Sequence, residues 1–338
     1  MNEKLLNETA LAMVAPGKGI LAADESTGTI QKRFDSIKVE NTEPNRQAYR
    51  DMLFTTRGFE QYTSGVILFE ETLFQKALDG TPFPQLLAAK GVLPGIKVDK
   101  GAKDLPGAPG ETITEGLDGL RERFVKYREA GARFAKWRAV ITIDSQGLPT
   151  DYAIHTNAHA LARYAALSQE AGIVPIVEPE VLMDADNSIE VCESVTSRTL
   201  EAVFAELYKQ KVFLEGIVLK PNMVIAGKKS PVQASRQQVA EATVRTLKRY
   251  VPGAVPGIAF LSGGQSDEDA TAHLDLINKI GDLPWKVTFS YGRALQAAAL
   301  KAWGGKHADA GRVAHLHRAH MNGLAALGKW DAALEKAA

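Results

Sequence analysis

A lysine at the end of an apolar run is the residue of this sequence best suited to act as a nucleophile. Lys220 follows Ile217, Val218 and Leu219 and precedes Pro221. The apolar run should bury the lysine stem, and burial disfavours the charged form of an amine. Attack on a carbonyl carbon near pH 7 requires the neutral amine. The sequence therefore indicates carbonyl chemistry through a lysine.

Two pairs of charged residues could assist this lysine. Lys136 and Arg138 lie two apart in one β-rich run, and Glu178 and Glu180 lie two apart in the next. Residues two apart on a strand project to the same face. The cations would favour a neutral Lys220, and the carboxylates could supply the acid and the base that a carbinolamine needs. Each residue alone would more often be an ordinary strand-end charge.

Eight short β-rich runs would position these side chains, and segments with helical periodicity or loops separate them. Eight strands alternating with helices predict an α/β protein, a single (β/α)8 TIM barrel, with an open doubly wound sheet as the alternative. A short N-terminal helix over 1–14 and a C-terminal helical extension complete the expectation. We predict one domain over 1–338, with the barrel at 18–305, the extension at 306–338 and a poorly ordered Ala-rich tail from Leu324. The predicted strands are 20–23, 65–69, 95–99, 133–141, 173–178, 213–220, 257–261 and 286–291, and the clearest helices are 151–170, 191–211, 237–249, 266–280 and 294–303.

Polar residues end seven of these apolar strands. The active site of a barrel of this kind forms at the carboxyl ends of its strands. Agreement among seven strands therefore favours a site over a set of unrelated surface charges. The residues are Asp24-Glu25-Ser26, Lys97, Lys136 and Arg138, Glu178 and Glu180, Lys220, Ser262-Gly263-Gly264, and Ser290-Tyr291-Gly292-Arg293.

The loops after the seventh and eighth strands are typical of phosphate binding. Glycines there let backbone amides approach an anion, and Arg293 adds a bidentate guanidinium. The loops carry Ser262, Gly263 and Gly264, and then Ser290, Gly292 and Arg293. A second cluster of cations, Lys32, Arg33 and Arg46 with Lys97 across the barrel mouth, predicts a second phosphate site. Two such sites indicate a long substrate with two phosphates.

Composition excludes several other classes of protein. Lysine plus arginine and aspartate plus glutamate both number 40, so zero net charge gives no basis for binding nucleic acid or an anionic membrane. Cys192 is the single cysteine, which excludes an intrachain disulfide and favours a reducing compartment. No apolar run approaches the roughly 18 to 20 residues of a membrane span. We expect a cytoplasmic protein.

Metal catalysis is the rival explanation for carbonyl chemistry, and five histidines bear on it. His315, His317 and His320 are close in sequence, and His155 and His159 lie one helical turn apart. None of them ends a predicted strand, and no carboxylate is spaced to complete a site. We therefore expect solvent-exposed helix histidines and neither a metal nor a cofactor.

Five motifs resemble those of class I fructose-bisphosphate aldolases, and the similarity covers nearly the whole chain. The motifs are GILAADESTG at 19–28, VPIVEPE at 174–180, LKPNMV at 219–224, FLSGGQS at 260–266 and FSYGRALQ at 289–296. The resemblance implies reversible cleavage of fructose 1,6-bisphosphate to dihydroxyacetone phosphate and glyceraldehyde 3-phosphate in glycolysis and gluconeogenesis. It also implies a homo-oligomer, a tetramer in much of the family.

The resemblance assigns roles to individual residues. Lys220 would form the Schiff base, Glu178 would dehydrate the carbinolamine, and Asp24 would act on the C4 hydroxyl. Lys136 and Arg138 would position the sugar and keep Lys220 neutral. The serines, glycines and arginine of the last two strand ends would hold the C1 phosphate, and Thr29, Arg33 and Lys97 the C6 phosphate.

Two departures from the family pattern stand out. Thr29 replaces a serine of many members, which keeps the hydroxyl. Animal and plant members end in a tail whose terminal tyrosine assists enamine protonation, whereas the last tyrosine here is Tyr291 and the sequence stops at Ala338. We expect Glu178 or a water molecule to protonate the enamine, so that deletion after Gly328 leaves this step nearly unchanged.

Alternatives to this function come from two classes. Another Schiff-base barrel, such as a transaldolase, would not require both phosphates. A catalytically silent barrel that serves as a scaffold would form no covalent adduct, and a fold alone never proves activity. Preference among fructose 1,6-bisphosphate, fructose 1-phosphate and epimeric ketoses depends on small loop differences.

Overall fold

Eight parallel strands close into a barrel in the computed structural model, which describes residues 1–144 and 146–336. Two further strands, the fourth and fifth along the chain, lie outside the barrel. In chain order all the strands are β1 (Gly19–Ala23), β2 (Thr63–Leu68), β3 (Leu93–Lys97), β4 (Ala102–Asp104), β5 (Thr112–Thr114), β6 (Phe134–Ile141), β7 (Val174–Val181), β8 (Val218–Leu219), β9 (Gly257–Phe260) and β10 (Lys286–Tyr291). The barrel order is β1-β2-β3-β6-β7-β8-β9-β10, with β10 pairing back to β1. The predicted (β/α)8 TIM barrel is confirmed.

Helices follow the barrel strands and cover the outside of the sheet. They are α1 (Glu3–Met13), α2 (Thr27–Asp35), α3 (Glu43–Phe54), α4 (Glu70–Phe74), α5 (Phe83–Ala89), α6 (Leu120–Glu129), α7 (Asp151–Glu170), α8 (Ile189–Lys209), α9 (Arg236–Tyr250), α10 (Asp267–Ile280), α11 (Arg293–Trp303) and α12 (Ala308–Ala325). The predicted helices agree with these within two residues at each end. Thr150, and not Asp151, caps α7 through its side chain, because it accepts from the amide of Ala153.

The predicted sixth strand, 213–220, is the element that differs most. Only Val218–Leu219 is a strand, and Leu214–Gly216 is a 3-10 turn. The Gln169 side chain replaces the sheet ladder there: its amide donates to the carbonyls of Phe213 and Gly216 at 2.7 and 3.1 Å, and its oxygen accepts from the Phe213 amide at 2.9 Å. The apolar sequence predicts burial correctly, but a long-range side chain decides the backbone shape.

The segment between β3 and α6 contains a small hairpin. β4 and β5 pair antiparallel outside the barrel. Thr114 Oγ1 donates to the Arg138 carbonyl at 2.7 Å, which attaches the hairpin to β6. This hairpin therefore forms part of the wall beside the strand that carries Lys136 and Arg138.

The interior of the barrel is filled by side chains that alternate with outward-facing ones. On β1, Ile20 and Ala22 belong to the interior cluster, whereas Leu21 and Ala23 pack among the helices. The Phe134 ring occupies the space left by Gly95, where an added Cβ would lie 2.2 Å from the ring. The barrel interior is thus a packed core.

Helix α1 closes the amino-terminal end of the barrel. Its Leu6, Ala10 and Met13 belong to the interior cluster. Ser64 Oγ at the start of β2 donates to the Met13 carbonyl at 2.6 Å. The opposite, carboxyl end of the barrel is therefore the open one.

The Ala-rich tail contacts α10 through Trp330 and α12 through Glu335, contacts that the expectation of poor order from Leu324 did not foresee, and residues 331–334 are exposed. Trp330 is buried, and its backbone amide donates to Asp275 Oδ1 at 2.9 Å. Glu335 accepts from Arg318 Nη1 at 2.7 and 2.6 Å. Buried charge and one aromatic ring hold a segment whose composition alone is uninformative.

None of the helices in 1–144 and 146–336 combines the length and apolar character that a membrane span needs.

Candidate active site

A cavity of about 370 Å³ lies at the carboxyl ends of the barrel strands. Parallel strands bring their carboxyl ends to one side of the sheet, so residues far apart in sequence meet there. Most of the predicted site residues line this cavity, namely Asp24, Thr29, Arg33, Lys97, Lys136, Arg138, Glu178, Glu180, Lys220, Ser262, Gly263, Ser290, Gly292 and Arg293. Four residues that the sequence also suggested do not line it, namely Lys32, Arg46, Gly264 and Tyr291.

Lys220 lies at the bottom of the cavity beside Glu178. Its Nζ is 3.2 Å from Glu178 Oε1, and both side chains are buried. The Lys220 amide donates to the Val177 carbonyl at 2.8 Å, and Asn222 Oδ1 accepts from the Val181 amide at 3.0 Å. These bonds to β7 hold the short β8 in register, so that the lysine and the glutamate face each other.

Lys136 is surrounded by three carboxylates. Its Nζ is 2.8 Å from Asp24 Oδ2, 3.5 Å from Glu178 Oε2 and 3.9 Å from Asp99 Oδ2. Burial opposes the charged form of Lys136, but the three carboxylates outweigh burial and raise its pKa. The cation therefore stays charged and connects β6 to the strand ends on both sides.

The two central carboxyl groups are ionised for the same reason. Burial acts to raise the pKa of Asp24, but Lys136, Lys220 and Lys97 prevail and hold it well below its usual value. Burial likewise acts to raise the pKa of Glu178, and Lys220, Lys136 and Arg138 lower it. The resting site is thus an alternating array of buried positive and negative charges.

Asp99 was not among the predicted site residues, yet it belongs to this array. It is buried, and its Oδ1 lies 3.6 Å from Lys97 Nζ. Its position two residues after Lys97, at the end of the predicted third strand, is the signal that could have revealed it. Glu25, which follows Asp24 at the end of the first predicted strand, also lines the cavity and pairs with buried Arg50 at 2.9 Å.

An anion-binding rim lies at the ends of β9 and β10. The Ser290 hydroxyl is buried, lines the cavity and has no hydrogen-bond partner in the part of the chain that the structure describes. Gly263 adopts φ +57°, a conformation that favours glycine, and Gly292 precedes α11 with no capping side chain among the described residues. Arg293 completes the rim. Unpaired donors and a helix amino terminus suit a phosphate.

Gly264 belongs to the same loop, but its amide points elsewhere. It donates to Met183 Sδ at 3.0 Å. The prediction that all three residues of Ser262-Gly263-Gly264 face the substrate is therefore not matched by the geometry of Gly264.

The opposite end of the cavity carries hydroxyl groups and cations. Ser26 Oγ and Thr29 Oγ1 lie 3.2 Å apart at the start of α2, and Arg33 and Lys97 line the same end. Arg46 is directed away from it: its guanidinium binds Glu71 at 2.7 and 2.6 Å and Asn41 Oδ1 at 3.1 Å. The Arg46 guanidinium, which was predicted to hold phosphate, is therefore already paired with the Glu71 carboxylate.

Arg138 and Glu180, two of the predicted site residues, form an ion pair across β6 and β7. Arg138 Nε donates to Glu180 Oε2. Burial acts to lower the pKa of Arg138, but Glu180 outweighs it and raises the pKa. Both residues line the cavity next to Lys136 and Glu178.

The histidines do not gather into a metal site. No group of His, Cys, Asp or Glu residues in 1–144 and 146–336 is arranged to hold a metal ion. The expectation of exposed histidines is wrong for His315, which is fully buried against Phe59. Carboxylates lie beside two others, Glu206 at 3.2 Å from His159 and Glu335 at 3.1 Å from His317, and each contact joins a single histidine to a single glutamate.

Comparisons with known proteins agree with the geometry. A family model described as fructose-bisphosphate aldolase class-I matches residues 5–338. A probable class 1 fructose-bisphosphate aldolase of Xanthomonas campestris is 58% identical over 334 residues, which cover 98% of this chain and 99% of that protein. Fructose-bisphosphate aldolase 1 of Toxoplasma gondii is 58% identical over 330 residues, which cover 97% and 91% of the two chains.

A solved structure extends the agreement to the fold. The fructose-bisphosphate aldolase of Plasmodium falciparum, determined in a complex with TRAP and a small-molecule inhibitor, superimposes with a TM-score of 0.96 at 54% identity. The match covers 97% of this chain and 96% of that one. The chain belongs to the class I fructose-bisphosphate aldolase family.

Proposed function

We propose that the protein catalyses the reversible aldol cleavage of fructose 1,6-bisphosphate to dihydroxyacetone phosphate and glyceraldehyde 3-phosphate through a Schiff base on Lys220. The observation that carries this proposal is the buried contact of 3.2 Å between Lys220 Nζ and Glu178 Oε1 at the bottom of the cavity. An amine nucleophile and its proton acceptor are therefore adjacent, with anion-binding groups on both sides.

The first stage forms the iminium. Glu178 is ionised in the resting site, so it can accept the proton that Lys220 must lose. The neutral amine then adds to C2 of the ketose. Protonated Glu178 returns the proton to the carbinolamine hydroxyl, and the C–O bond breaks with loss of water. One carboxyl group thus serves first as base and then as acid.

The second stage cleaves the carbon chain. Asp24, kept ionised by Lys136, removes the proton of the C4 hydroxyl. The C3–C4 bond breaks, C4 becomes the aldehyde of glyceraldehyde 3-phosphate, and the electron pair of the bond neutralises the iminium as an enamine. Protonation of C3 by Glu178 or a water molecule and hydrolysis of the iminium release dihydroxyacetone phosphate and restore Lys220.

The two ends of the cavity would hold the two phosphates. Ser262, Gly263, Ser290, Gly292 and Arg293 form the proposed C1-phosphate site. Thr29, Arg33 and Lys97 form the proposed C6-phosphate site. Between the two sites, Lys136, Arg138 and Glu180 would position the sugar hydroxyls. Arg46 and Gly264 are omitted, because Glu71 and Met183 already occupy their donors.

Borohydride trapping tests this mechanism. With dihydroxyacetone phosphate present, reduction should fix one adduct on Lys220 and abolish activity, and a chelator should not alter the rate. Lys220→Arg should neither cleave the sugar nor be trapped. A variant with undiminished activity, or an adduct on another residue, would overturn the proposal. A transaldolase would not require both phosphates.

We further propose that residues 1–338 form one domain, with the barrel at 18–305 and the extension at 306–338, and that the protein is a cytoplasmic homo-oligomer. The tetramer follows from the family resemblance. Sizing by light scattering would return about four times the 36.5 kDa of the chain if this is right.

A further inference from the structure

Lys228 lies against the phosphate-binding loop, although the proposed mechanism does not use it. The space beside Gly264 is taken up by the lysine tip: a Cβ added to Gly264 would lie 1.8 Å from Lys228 Nζ and 2.0 Å from Lys228 Cε. Glycine is thus the residue that lets the ammonium approach this backbone. Ser262 and Gly263, which directly precede Gly264, line the cavity.

The backbone holds Lys228 in this place. The Lys228 amide donates to the Met183 carbonyl at 2.8 Å, and the Gly227 amide donates to the Asn187 carbonyl at 2.9 Å. Met183 also accepts the Gly264 amide through its sulfur at 3.0 Å. Met183, which follows β7, therefore joins the segment of Lys228 to the loop after β9, and the tip of the Lys228 side chain lies beside Gly264 in that loop.

The charge partner of Lys228 is an exposed carboxylate. Its Nζ lies 3.1 Å from Asp184 Oδ1, and the Asp184 side chain is 68% exposed. Ion pairs of this kind are weak and exchange readily. Asp184 is also near the rim: burial and Arg33 lower the pKa of Arg293, and Glu180 and Asp184 act in the opposite direction. Asp184 and the incoming phosphate thus present the same charge to the same cations.

We propose that Lys228 is a further substrate-binding residue, which exchanges Asp184 for the C1 phosphate when the sugar binds. Asp184 acts as a stand-in anion in the empty site and competes with the phosphate for the ammonium. This inference rests on the proposed function, because it deepens the C1-phosphate site. It makes Lys228 and Asp184 a pair with opposite effects on affinity, which a purely structural role would not produce.

The test compares Lys228→Met with Lys229→Met, a change of the same chemistry one residue away at an exposed lysine. Lys228→Met should raise KM for fructose 1,6-bisphosphate and for fructose 1-phosphate by about fivefold to tenfold, with kcat within about twofold, as for loss of one charge-assisted hydrogen bond. Fructose 1-phosphate is decisive, since it carries only the C1 phosphate. Lys229→Met should behave as the unaltered protein.

Asp184→Asn tests the other member of the ion pair, for which the opposite effect on KM is expected. It should lower both KM values by about twofold to threefold, because Lys228 is then free for the phosphate. The double variant Lys228→Met with Asp184→Asn should match Lys228→Met. Equal KM values for Lys228→Met and Lys229→Met, or an increase confined to fructose 1,6-bisphosphate, would overturn the inference. Borohydride trapping of each variant separates the two proposals: if the unaltered protein gives no adduct, the proposed function itself fails.

Discussion

Glu178 contacts Lys220 through one carboxylate oxygen and lies beside Lys136 with the other. Oε1 is 3.2 Å from Lys220 Nζ, whereas Oε2 is buried, lies 3.5 Å from Lys136 Nζ and makes no hydrogen bond within 1–144 and 146–336. A buried acceptor that receives no hydrogen bond is costly in a folded protein. Such an atom at the bottom of a reactive cavity is well suited to receive a proton or the hydroxyl of a carbinolamine.

Glu178→Gln should therefore slow catalysis without removing the nucleophile. Loss of general acid and base catalysis typically costs about 100- to 10,000-fold in rate, so we expect kcat to fall in that range. The rate of borohydride-trappable iminium formation in a single turnover measures the step directly. Glu180→Gln is the matched control, and its main effect should be on KM through Arg138. Trapping at the normal rate in Glu178→Gln would remove Glu178 from the dehydration step.

Lys136→Met should destabilise the fold as well as impair activity. It would leave Asp24, Asp99 and Glu178 buried without their shared cation, and removal of one partner from a buried ion pair costs about 3 to 5 kcal/mol. Urea unfolding at pH 7 measures the loss. Adding Asp24→Asn should recover part of it, because one uncompensated charge disappears. A double variant less stable than Lys136→Met would contradict this assignment.

The ion pair between Asp24 and Lys136 should also determine how the free energy of unfolding changes at acid pH. The pKa of Asp24 is well below its ordinary value of 3.8, so its stabilising contribution is complete above pH 3.8. That contribution is lost as the pH falls through the lower pKa of the folded state. In Lys136→Met the pKa of Asp24 should rise, and titration of the Asp24 carboxyl carbon by NMR should show it. An unchanged pKa would mean that Lys136 is not its main partner.

Two buried histidines should make stability fall at a higher pH than the pH at which Asp24 becomes protonated in the folded protein. Burial lowers the pKa of His273 and of His315 from 6.5 to about 4. Below pH 6.5 the unfolded chain binds protons that the folded chain does not, so each histidine costs up to about 3 kcal/mol by pH 4. The melting temperature measured from pH 7 to pH 4 should fall less steeply for His315→Leu than for the unaltered protein.

The exposed His155 supplies the control for that measurement. His155→Gln should reproduce the pH profile of the unaltered protein, since His155 is exposed and its replacement removes no buried group. If His155→Gln and His315→Leu gave the same flattened profile, burial would not be the cause.

Deletion of residues 329–338 should separate a structural role from a catalytic one. It removes Trp330 and Glu335 and leaves Arg318, which is buried, without its carboxylate. We expect a loss of about 3 to 5 kcal/mol in the free energy of unfolding. Enamine protonation, followed by exchange of a C3 proton of dihydroxyacetone phosphate with solvent, should keep its rate at a temperature where the variant stays folded. A large drop in that exchange rate would give the tail a catalytic role.

Glu335→Gln is the milder companion to the deletion. It keeps Trp330 in place but removes the ion pair with Arg318, so it should lower stability by less than the deletion. Exchange of the C3 proton should again be unaffected. A free energy of unfolding equal to that of the unaltered protein would show that the Trp330 ring, and not the ion pair of Arg318 with Glu335, holds the tail in place.

Much of the barrel and of its chemistry follows from local patterns. Alternating apolar strands with polar ends predict the barrel and its open face, and spacing by two residues predicts that Lys136 lies with Arg138 and Glu178 with Glu180. These relationships depend only on neighbours along the chain, so the sequence contains them. The end of the apolar run marks Lys220 for the same reason.

Contacts between distant segments were decided by the tertiary structure alone. Asp99 joins Lys136 although 37 residues separate their numbers, the Gln169 side chain converts half of the sixth strand into a turn, and Glu71 takes Arg46 away from the cavity. A charged side chain binds whichever opposite charge lies nearest in space. That distance is set by how the helices and strands pack around the barrel, and no local pattern in the sequence records it.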